Sequence, residues 1–336
     1  MSLQSMLAAI SERKSLPDRD EYFNLLERTI TVLEHEDSSI RPPDSSRLSG
    51  GLVRLKTGIP TLLLPDLHAR MDFFRDAMAY SPFEGRTVLD ALESGELQLV
   101  CLGDGFHSER RGYQRWTNAL REYYHGYTRH KAMDAEMREC FGLMEMVMRV
   151  KCAFRDHVHF LKGNHENILN EEGNGNHPFR KFVLEGEMVK EYVLKFFDEE
   201  FIQMYSLFEK SLPLIAVGEN FIASHAEPQR PYAEADLIEA RFRPDVILSL
   251  TWTDNGDADE NSVAEMLDMF LPSVSGTVYF GGHRPVQDGF GSRANGKYIQ
   301  IHNPEMNNVT LVPSGRIFDS AKDIRDISQS KENNIS

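Results

Sequence analysis

Cysteine is scarce in this sequence: it has three in 336 residues, and Cys101, Cys140 and Cys152 form no CxxC pair. An odd, widely spaced set argues against a disulfide framework and is typical of buried thiols in a reducing cytosol. No apolar run approaches the roughly 18 residues of a membrane span. The short apolar patch near the N-terminus lacks the basic region that precedes a secretory signal. We therefore expect a cytoplasmic protein that does not enter a membrane.

Positively charged residues are also few: the sequence has 37 Lys and Arg against 52 Asp and Glu, which gives a formal net charge of −15. Phosphate backbones are bound by basic surfaces, so this balance argues against a nucleic-acid-binding protein. Most of the acids suit a solvated surface, but some can be collected around cations. The composition therefore leaves room for a metal-binding protein with a sizeable core.

Short apolar runs that end in polar residues and precede helical sequence predict a layered α/β sheet. The predicted strands are TLLLP (61–65), LQLVCLG (97–103), HVHFLKG (157–163), a hairpin over 212–225, and two late strands over 277–283 and 297–303. Helical spacing covers 20–36, 113–150 and 179–210. We expect a helical N-terminal extension (1–50), a main domain (51–320) with a helical insert at about 113–150, and a polar, disordered tail (321–336).

Metal-capable or proton-transferring side chains follow the ends of the predicted strands. In chain order they are Asp66 and His68, Asp104, Asn164 and His165, His225, and His283. Ligands of open α/β sheets bind at the carboxyl ends of the strands, so this repetition predicts one shared site. A single such residue is more often structural. The prediction therefore depends on finding such residues after five apolar segments in a row.

The residue types fit a particular chemistry. Carboxylate and imidazole suit Mn, Fe or Zn. One carboxylate between two sets of ligands, here Asp104, can bridge two cations, and two-metal sites activate a water and neutralise a phosphoryl group. The neutral amide of Asn164 suits a site that already holds several anions.

The ordered motifs DLH, GD, GNHE, SHAEP and GGH resemble the signature of calcineurin-like metallophosphoesterases. The resemblance is closest to the phosphoprotein phosphatase branch, whose pattern is D-x-H, G-D-x-x-D-R-G, G-N-H-E, H-G-G and a late G-H. LTWTDN is similar to that branch's L-W-S-D-P. The resemblance runs from about Thr61 to Pro313 and implies a four-layered α/β/β/α metallophosphoesterase fold.

The resemblance also implies roles for individual residues. Asp66, His68 and Asp104 would bind a first metal, and Asp104, Asn164, His225 and His283 a second one. These are two divalent ions, Mn, Fe or Zn, with manganese favoured. His165 would be the general acid that protonates the leaving oxygen, while Glu166 would anchor the turn.

The loop after Asp104 departs from the family. His107 stands where the family has the aspartate that orients the catalytic histidine. Ser108 stands where it has the arginine that binds phosphate. Neither residue can perform the replaced function, since His107 supplies no negative charge and Ser108 no cation.

Nearby charges are candidates for the vacated roles. Glu109, Arg110 and Arg111 follow directly in the sequence, although an equally good interpretation makes them ordinary loop charges. Arg284, beside the last histidine motif, is a further candidate for substrate binding. His302 lies in a strand where the family often has a polar residue near the site, and it is a weaker candidate for a role in the site.

These observations predict a hydrolase acting on phosphoric ester bonds, which cleaves phosphate monoesters by direct attack of a water that bridges two metals. The substrate would be a phosphorylated small molecule or a phosphoprotein. Two alternatives stay open: a nucleotide or dinucleotide phosphoesterase, and a metal-binding scaffold with weakened catalysis. The intact GNHE argues against the scaffold, which has no need of His165.

Overall fold

The computed structural model describes residues 1–330, which form two β-sheets covered by helices. The strands are β1 (Leu52–Arg54), β2 (Thr61–Leu64), β3 (Gln98–Cys101), β4 (Val158–Phe160), β5 (Ile215–Val217), β6 (Phe221–Ser224), β7 (Val278–Gly281), β8 (Gly291–Arg293), β9 (Tyr298–Gln300), β10 (Asn308–Val312) and β11 (Ile324–Asp326). All six predicted strand regions contain a strand.

The helices are α1 (Leu3–Glu12), α2 (Arg19–Glu34), α3 (Met71–Ala79), α4 (Val88–Glu93), α5 (Tyr113–Tyr124), α6 (Lys131–Ala153), α7 (Glu185–Phe196), α8 (Glu199–Lys210), α9 (Glu234–Ile238), α10 (Pro244–Trp252), α11 (Ser262–Phe270) and α12 (Ser320–Asp323). Short 3₁₀ turns lie at Glu109–Gly112, Ala240–Phe242, Ala294–Gly296 and Ile327–Ser330.

One sheet has the strand order β11-β10-β2-β3-β4, and the other has the order β1-β5-β6-β7-β9-β8. The central strands β2, β3 and β4 run parallel, as do β6, β7 and β9. The predicted hairpin is present, with β5 and β6 paired antiparallel. Because parallel strands share a direction, their carboxyl ends meet at one edge of each sheet.

The sheets pack face to face and carry helices on their outer faces. Side chains such as Leu63, Val100 and Phe280 fill the space between the sheets. Helices α1–α8 join one core with Leu62 and the outer face of the five-stranded sheet, and α9–α11 cover the six-stranded sheet. The four-layered α/β/β/α prediction is confirmed. Strands β2, β3, β4 and β6 are buried at every residue, since both of their faces are covered.

The N-terminal helices and the insert belong to the helical layer. Helix α2 begins after Asp18, whose carboxylate accepts hydrogen bonds from the backbone N–H groups of Asp20 and Glu21 at 3.0 Å. It packs on α6 and α8. The insert consists of α5 and the 23-residue α6, which pack on each other. Methionines of α6, Met133 and Met144 among them, are buried core residues.

The structure differs from the prediction in two regions. The stretch 179–184 is irregular, so the helical region begins only at Glu185. The prediction of a disordered tail is wrong for residues 321–326: α12 is capped by Asp319, and β11 pairs antiparallel with β10. A polar sequence can supply an edge strand because the ladder uses only backbone groups. Residues 331–336 lie outside the described residues. Within 1–330, every helix is too short or too polar to cross a bilayer.

Candidate metal centre

Backbone hydrogen bonds continue beyond the strand ends and tie the motif loops together. His68 N–H donates to the carbonyl of Asp104 at 2.7 Å, which extends the pairing of β2 with β3. His165 N–H donates to the Asp104 carboxylate at 2.9 Å. Gly282 N–H donates to the carbonyl of His225 at 2.8 Å. The structure thus brings all seven predicted strand-end residues to one buried site.

The backbone is strained at three of these residues. His68, Asp104 and His283 have φ angles of 42°, 51° and 63°, in the left-handed region that non-glycine residues seldom adopt. Such conformations cost of the order of 1–3 kcal/mol each and persist only where the surrounding structure enforces them. Such strained residues concentrate at functional sites, which makes this cluster a candidate for one.

Two glycines allow the loops to approach the carboxylates. A Cβ atom at Gly163 would lie 2.2 Å from Asp104 Oδ1, and one at Gly282 would lie 1.8 Å from Asp66 Oδ1. Any larger residue at either position would displace a predicted metal-binding oxygen. Glycine is therefore required by the close approach of backbone and carboxylate.

The second group, which we define as Asp104, Asn164, His225 and His283, contains hydrogen-bond acceptors that face each other. His225 Nδ1 donates to the carbonyl of Leu102 at 2.8 Å, so Nε2 of the neutral ring carries no proton. That Nε2 lies 3.0 Å from Asn164 Oδ1 and 3.5 Å from Asp104 Oδ2. His283 Nδ1 is also 3.0 Å from Asn164 Oδ1. Acceptors converging in this way fit a cation among them.

The first group, defined as Asp66, His68 and Asp104, has the same character. His68 Nδ1 contacts the carbonyls of Phe106 and His107 at 3.1 and 3.0 Å, so its Nε2 is free of a proton. This Nε2 lies 3.5 Å from Asp104 Oδ2. Asp66 Oδ1 is buried and has no hydrogen-bond partner among the described residues. Ligand atoms of Asp66, Asp104 and His225 lie within 4.8 Å of one another, which places Asp104 next to both groups.

The protein alone stabilises these carboxylates and imidazoles in their neutral forms. Burial raises the pKa of Asp104 to about 7, and burial together with Asp104 raises the pKa of Asp66. Burial lowers the pKa of His225 to about 4 and of His283 to about 2. Neutral imidazoles are the form that binds metals, and ionised carboxylates at this depth need a cation beside them. The donor set therefore fits divalent ions.

The GNHE turn that opens after β4 is fixed by its own glutamate. The carboxylate of Glu166 accepts hydrogen bonds from the backbone N–H groups of Asp104, Gly105 and Gly163 at 3.0, 2.8 and 2.6 Å. Glu166 thus connects the loops after β3 and β4, and the expectation that it anchors the turn is confirmed. It contributes no oxygen to the predicted metal groups.

His165 lies beside the predicted metal ligands, with its Nε2 3.8 Å from Asp104 Oδ2. Its ring packs on Phe179, with 4.7 Å between centroids. Nδ1 is buried and has no hydrogen-bond partner in the described chain. Burial, then the nearby His68 and His107, lower the pKa of His165. No carboxylate of residues 1–330 orients this ring through Nδ1.

His107 does not replace the missing aspartate. Its ring stacks on Trp116 with 5.0 Å between centroids, and its Nε2 lies 3.4 Å from the Glu185 carboxylate. Its Nδ1 accepts a hydrogen bond from Glu109 N–H at 3.0 Å. Both nitrogens are thus engaged away from His165, and His107 joins the site to the helical insert through Trp116.

The side chain of Glu109 makes its ionic contacts with groups other than His165. Its carboxylate lies 3.6 Å from His68 Nε2, 3.4 Å from His302 Nε2 and 2.6 Å from Lys181 Nζ. Burial acts to raise the pKa of Glu109, but His68, His302 and Lys181 outweigh it and lower the pKa. Sequence reasoning placed Glu109 near the general acid and gave His302 little weight, and it missed Lys181 entirely.

The three candidate arginines have different surroundings. Arg111 donates to Glu139 and to the carbonyl of His68, and Arg284 donates twice to Asp254. The side chain of Arg110 is 89% exposed, and its closest acid is Glu305 at 3.9 Å. Arg110 is therefore the candidate with the most freedom to bind a ligand.

A groove of about 990 Å³ begins beside the site and includes Arg110 and Lys181. Tyr113 and Phe182 form an aromatic wall in it, packed edge to face with 5.2 Å between centroids. Glu109 also lines the groove. The groove thus brings two cations and two aromatic rings next to Glu109, whose carboxylate contacts His68 of the buried site.

Comparison with known proteins supports the fold. No family model matches the chain, and no curated protein matches it. Its structure is similar to that of a protein serine/threonine phosphatase from Saccharomyces cerevisiae with similarity to human phosphatase PP5. The TM-score is 0.57 at 14% identity, and the match covers 96% of this chain and 94% of that chain. A cold-active protein tyrosine phosphatase of the psychrophile Shewanella sp. matches with a TM-score of 0.47, at 13% identity and over 78% and 76% of the two chains. The chain has the fold of a protein serine/threonine phosphatase along nearly its whole length, as its motifs predict.

Proposed function

We propose that this protein is a metal-dependent phosphoesterase that hydrolyses phosphate monoesters. The observation that carries the proposal is the cluster of facing acceptors, in which His225 Nε2, Asn164 Oδ1 and Asp104 Oδ2 meet without a proton between them. A divalent cation among these atoms would accept their lone pairs and stabilise the ionised form of the Asp104 carboxylate. The fold and the order of the motifs agree with the same activity.

Asp66, His68 and Asp104 hold one divalent ion in this proposal, and Asp104, Asn164, His225 and His283 hold the other. Manganese is favoured, although the ligand types also suit iron and zinc. Two bound ions supply an activated water as nucleophile and neutralise charge on the phosphoryl group. The protein's contribution is to fix the ligand positions, and the strained φ angles of His68, Asp104 and His283 fit that role.

His165 protonates the leaving oxygen. In the free site its pKa is lowered by burial, so the ring starts neutral. To act as the acid, the ring must take up a proton from solvent when substrate binds, and the negative charge of the phosphate beside it favours that uptake. The proton then passes from the ring nitrogen to the departing oxygen, as general acid catalysis requires. Phe179 holds the ring plane in place of the absent carboxylate.

Arg110 binds the substrate phosphate from the groove. A guanidinium donates two parallel hydrogen bonds to phosphate oxygens. Lys181 lies in the same groove and is a second cation, partly neutralised by Glu109. Arg111 and Arg284 already bind acidic partners, so they are weaker candidates.

The groove bears on the substrate class. Its volume of about 990 Å³ exceeds what a phosphate alone needs, and its aromatic wall suits a peptide or a ring next to the phosphate. A phosphoprotein is our first candidate, and a nucleotide or dinucleotide is the second, because either base or peptide can pack on Tyr113 and Phe182. The buried free thiols of Cys101 and Cys140 agree with a cytoplasmic site of action.

The test is hydrolysis of p-nitrophenyl phosphate by protein treated with a chelator and then supplied with Mn²⁺. We expect the chelated protein to be inactive and Mn²⁺ to restore turnover. The variant His159→Gln, at a buried histidine of β4 outside the site, should behave as wild type. Activity that survives chelation would disprove metal dependence, and a metal-loaded protein without turnover on any phosphate ester would favour the scaffold. Phosphopeptides, nucleotides and dinucleotides compared by kcat/KM then separate the substrate classes.

A further inference from the structure

His302 lies at the same sheet edge as the predicted ligands, although no motif includes it. It follows β9 by two residues, as His283 follows β7 by two residues, and β7 and β9 are parallel neighbours. Its side chain is fully buried. The strand order therefore places the imidazole of His302 in the site, next to the first group.

The hydrogen-bond partner of His302 determines where its proton lies. Nε2 is 3.4 Å from the carboxylate of Glu109, and a carboxylate can only accept. The proton of the neutral ring is therefore on Nε2. Lys181 binds the same carboxylate at 2.6 Å, and Glu109 has a φ of 52°, so this side chain is turned inward at a conformational cost.

The other nitrogen of His302 is then an unprotonated acceptor aimed at the first group. Nδ1 is buried without a hydrogen-bond partner in residues 1–330 and lies 3.9 Å from Asp66 Oδ2. Ligand atoms of Asp66, His68 and His302 all lie within 4.8 Å of one another. Two acceptors that face each other in a buried space fit a cation between them, and the three ligand atoms are close enough to share one.

We propose that His302 binds the first metal through Nδ1, and that Glu109 is the positioning residue that fixes its tautomer. The inference rests on the proposed two-metal function and adds a ligand to it. Carboxylate–histidine–metal arrangements orient the ring and make the imidazole a stronger donor. The unusual loop after Asp104 thereby acquires a role: it supplies the carboxylate that holds the added ligand.

Calorimetric titration of the metal-free protein with Mn²⁺ tests this proposal without using activity. For wild type we expect two binding events. His302→Ala should weaken one of them roughly tenfold or more and leave the other unchanged, since metal-site partners contribute about 10–100-fold to affinity. His302→Gln serves as a second variant if the alanine variant fails to fold. His159→Gln, which also removes a buried imidazole that makes no hydrogen bond within residues 1–330 and lies near Glu36, should leave both affinities unchanged.

Glu109 is tested in the same titration. Glu109→Ala should weaken the same binding event as His302→Ala, and Glu109→Gln, which keeps an acceptor oxygen, should recover part of the loss. Two wild-type binding events that are unchanged in folded His302→Ala would overturn this inference and leave the proposed function standing. A wild-type protein that binds no Mn²⁺ would overturn both.

Discussion

The two halves of the site differ in how closely they follow the family's pattern. In the second group, Asn164, His225 and His283 stand at motif positions and meet at Asn164 Oδ1 with distances of 3.0 Å. In the first group the motif residues are present, but the adjoining loop carries Glu109, whose carboxylate reaches toward His68 at 3.6 Å.

The difference teaches that the loop after β3 can depart from the family's pattern while the motif residues still meet at one buried site. The motif residues are fixed by buried strands and by Glu166, which connects the loops after β3 and β4. The altered residues lie beyond that anchor, in the 3₁₀ turn Glu109–Gly112 that leads into the insert. Substitutions in one group, in the residue that both groups share, or in the proposed general acid should therefore have different effects on metal content and activity.

The largest effect is expected at Asp104, which borders both groups. Asp104→Asn removes a negative charge that both ions share, so both should be lost and phosphatase activity should fall to background. Elemental analysis of the metal-loaded variant and an assay with p-nitrophenyl phosphate check this. Asp268→Asn, at an exposed position of α11, is the control. A variant that keeps a full complement of metal would show that Asp104 does not bridge.

Substitutions confined to one half should each remove one ion. His68→Ala affects the first group and His225→Ala the second, and each variant should bind about one Mn²⁺ per chain with strongly reduced activity. Metal titration followed by elemental analysis measures the number. Loss of both ions from both variants would mean that the two halves are a single binding unit.

His165→Ala should lower turnover by about 10²–10⁴-fold while metal content stays at the wild-type value, because it removes a proton donor and no ligand. The loss should be smaller with a nitrophenyl ester, whose leaving group needs little protonation, than with an alkyl phosphate. Steady-state kinetics with both esters provide the measurement. Equal losses on the two substrates would remove His165 from the role of general acid.

The smallest effect is expected at the groove. Arg110→Ala should reduce kcat/KM roughly tenfold with both metals retained, and Arg110→Lys should recover only part, since lysine lacks the planar fork. Arg111→Ala and Arg284→Ala are matched controls, as those side chains already bind Glu139 and Asp254. Wild-type kinetics in Arg110→Ala, together with a reduced kcat/KM in Arg284→Ala, would show that the phosphate is bound by Arg284, which lies next to the second group, and not by Arg110.

Much of the fold, and the meeting of the motif residues at one buried site, could be predicted because the signals are local. Asp66 and His283 lie two residues beyond the ends of β2 and β7, Asn164 lies four residues beyond the end of β4, and parallel strands bring their carboxyl ends to one edge. The tail prediction failed at β11, since edge pairing uses backbone groups that composition does not reveal. The direction and pairing of the strands were enough to predict which residues share the site, and no knowledge of side-chain contacts was needed for that prediction.

The environment of Glu109 could not be predicted in the same way. Its contact with His302 joins residues 193 positions apart and depends on a φ of 52° that turns the side chain inward. Sequence spacing carries no information on that turn. His302 itself could have been found by the strand-end rule, since it follows β9 as His283 follows β7.

The central claim is that one buried site holds two ions, and metal content of the wild-type protein tests it most directly. Protein stripped with a chelator, reloaded with Mn²⁺ and freed of excess metal should contain about two ions per chain by elemental analysis. One ion per chain, or none, would contradict the account.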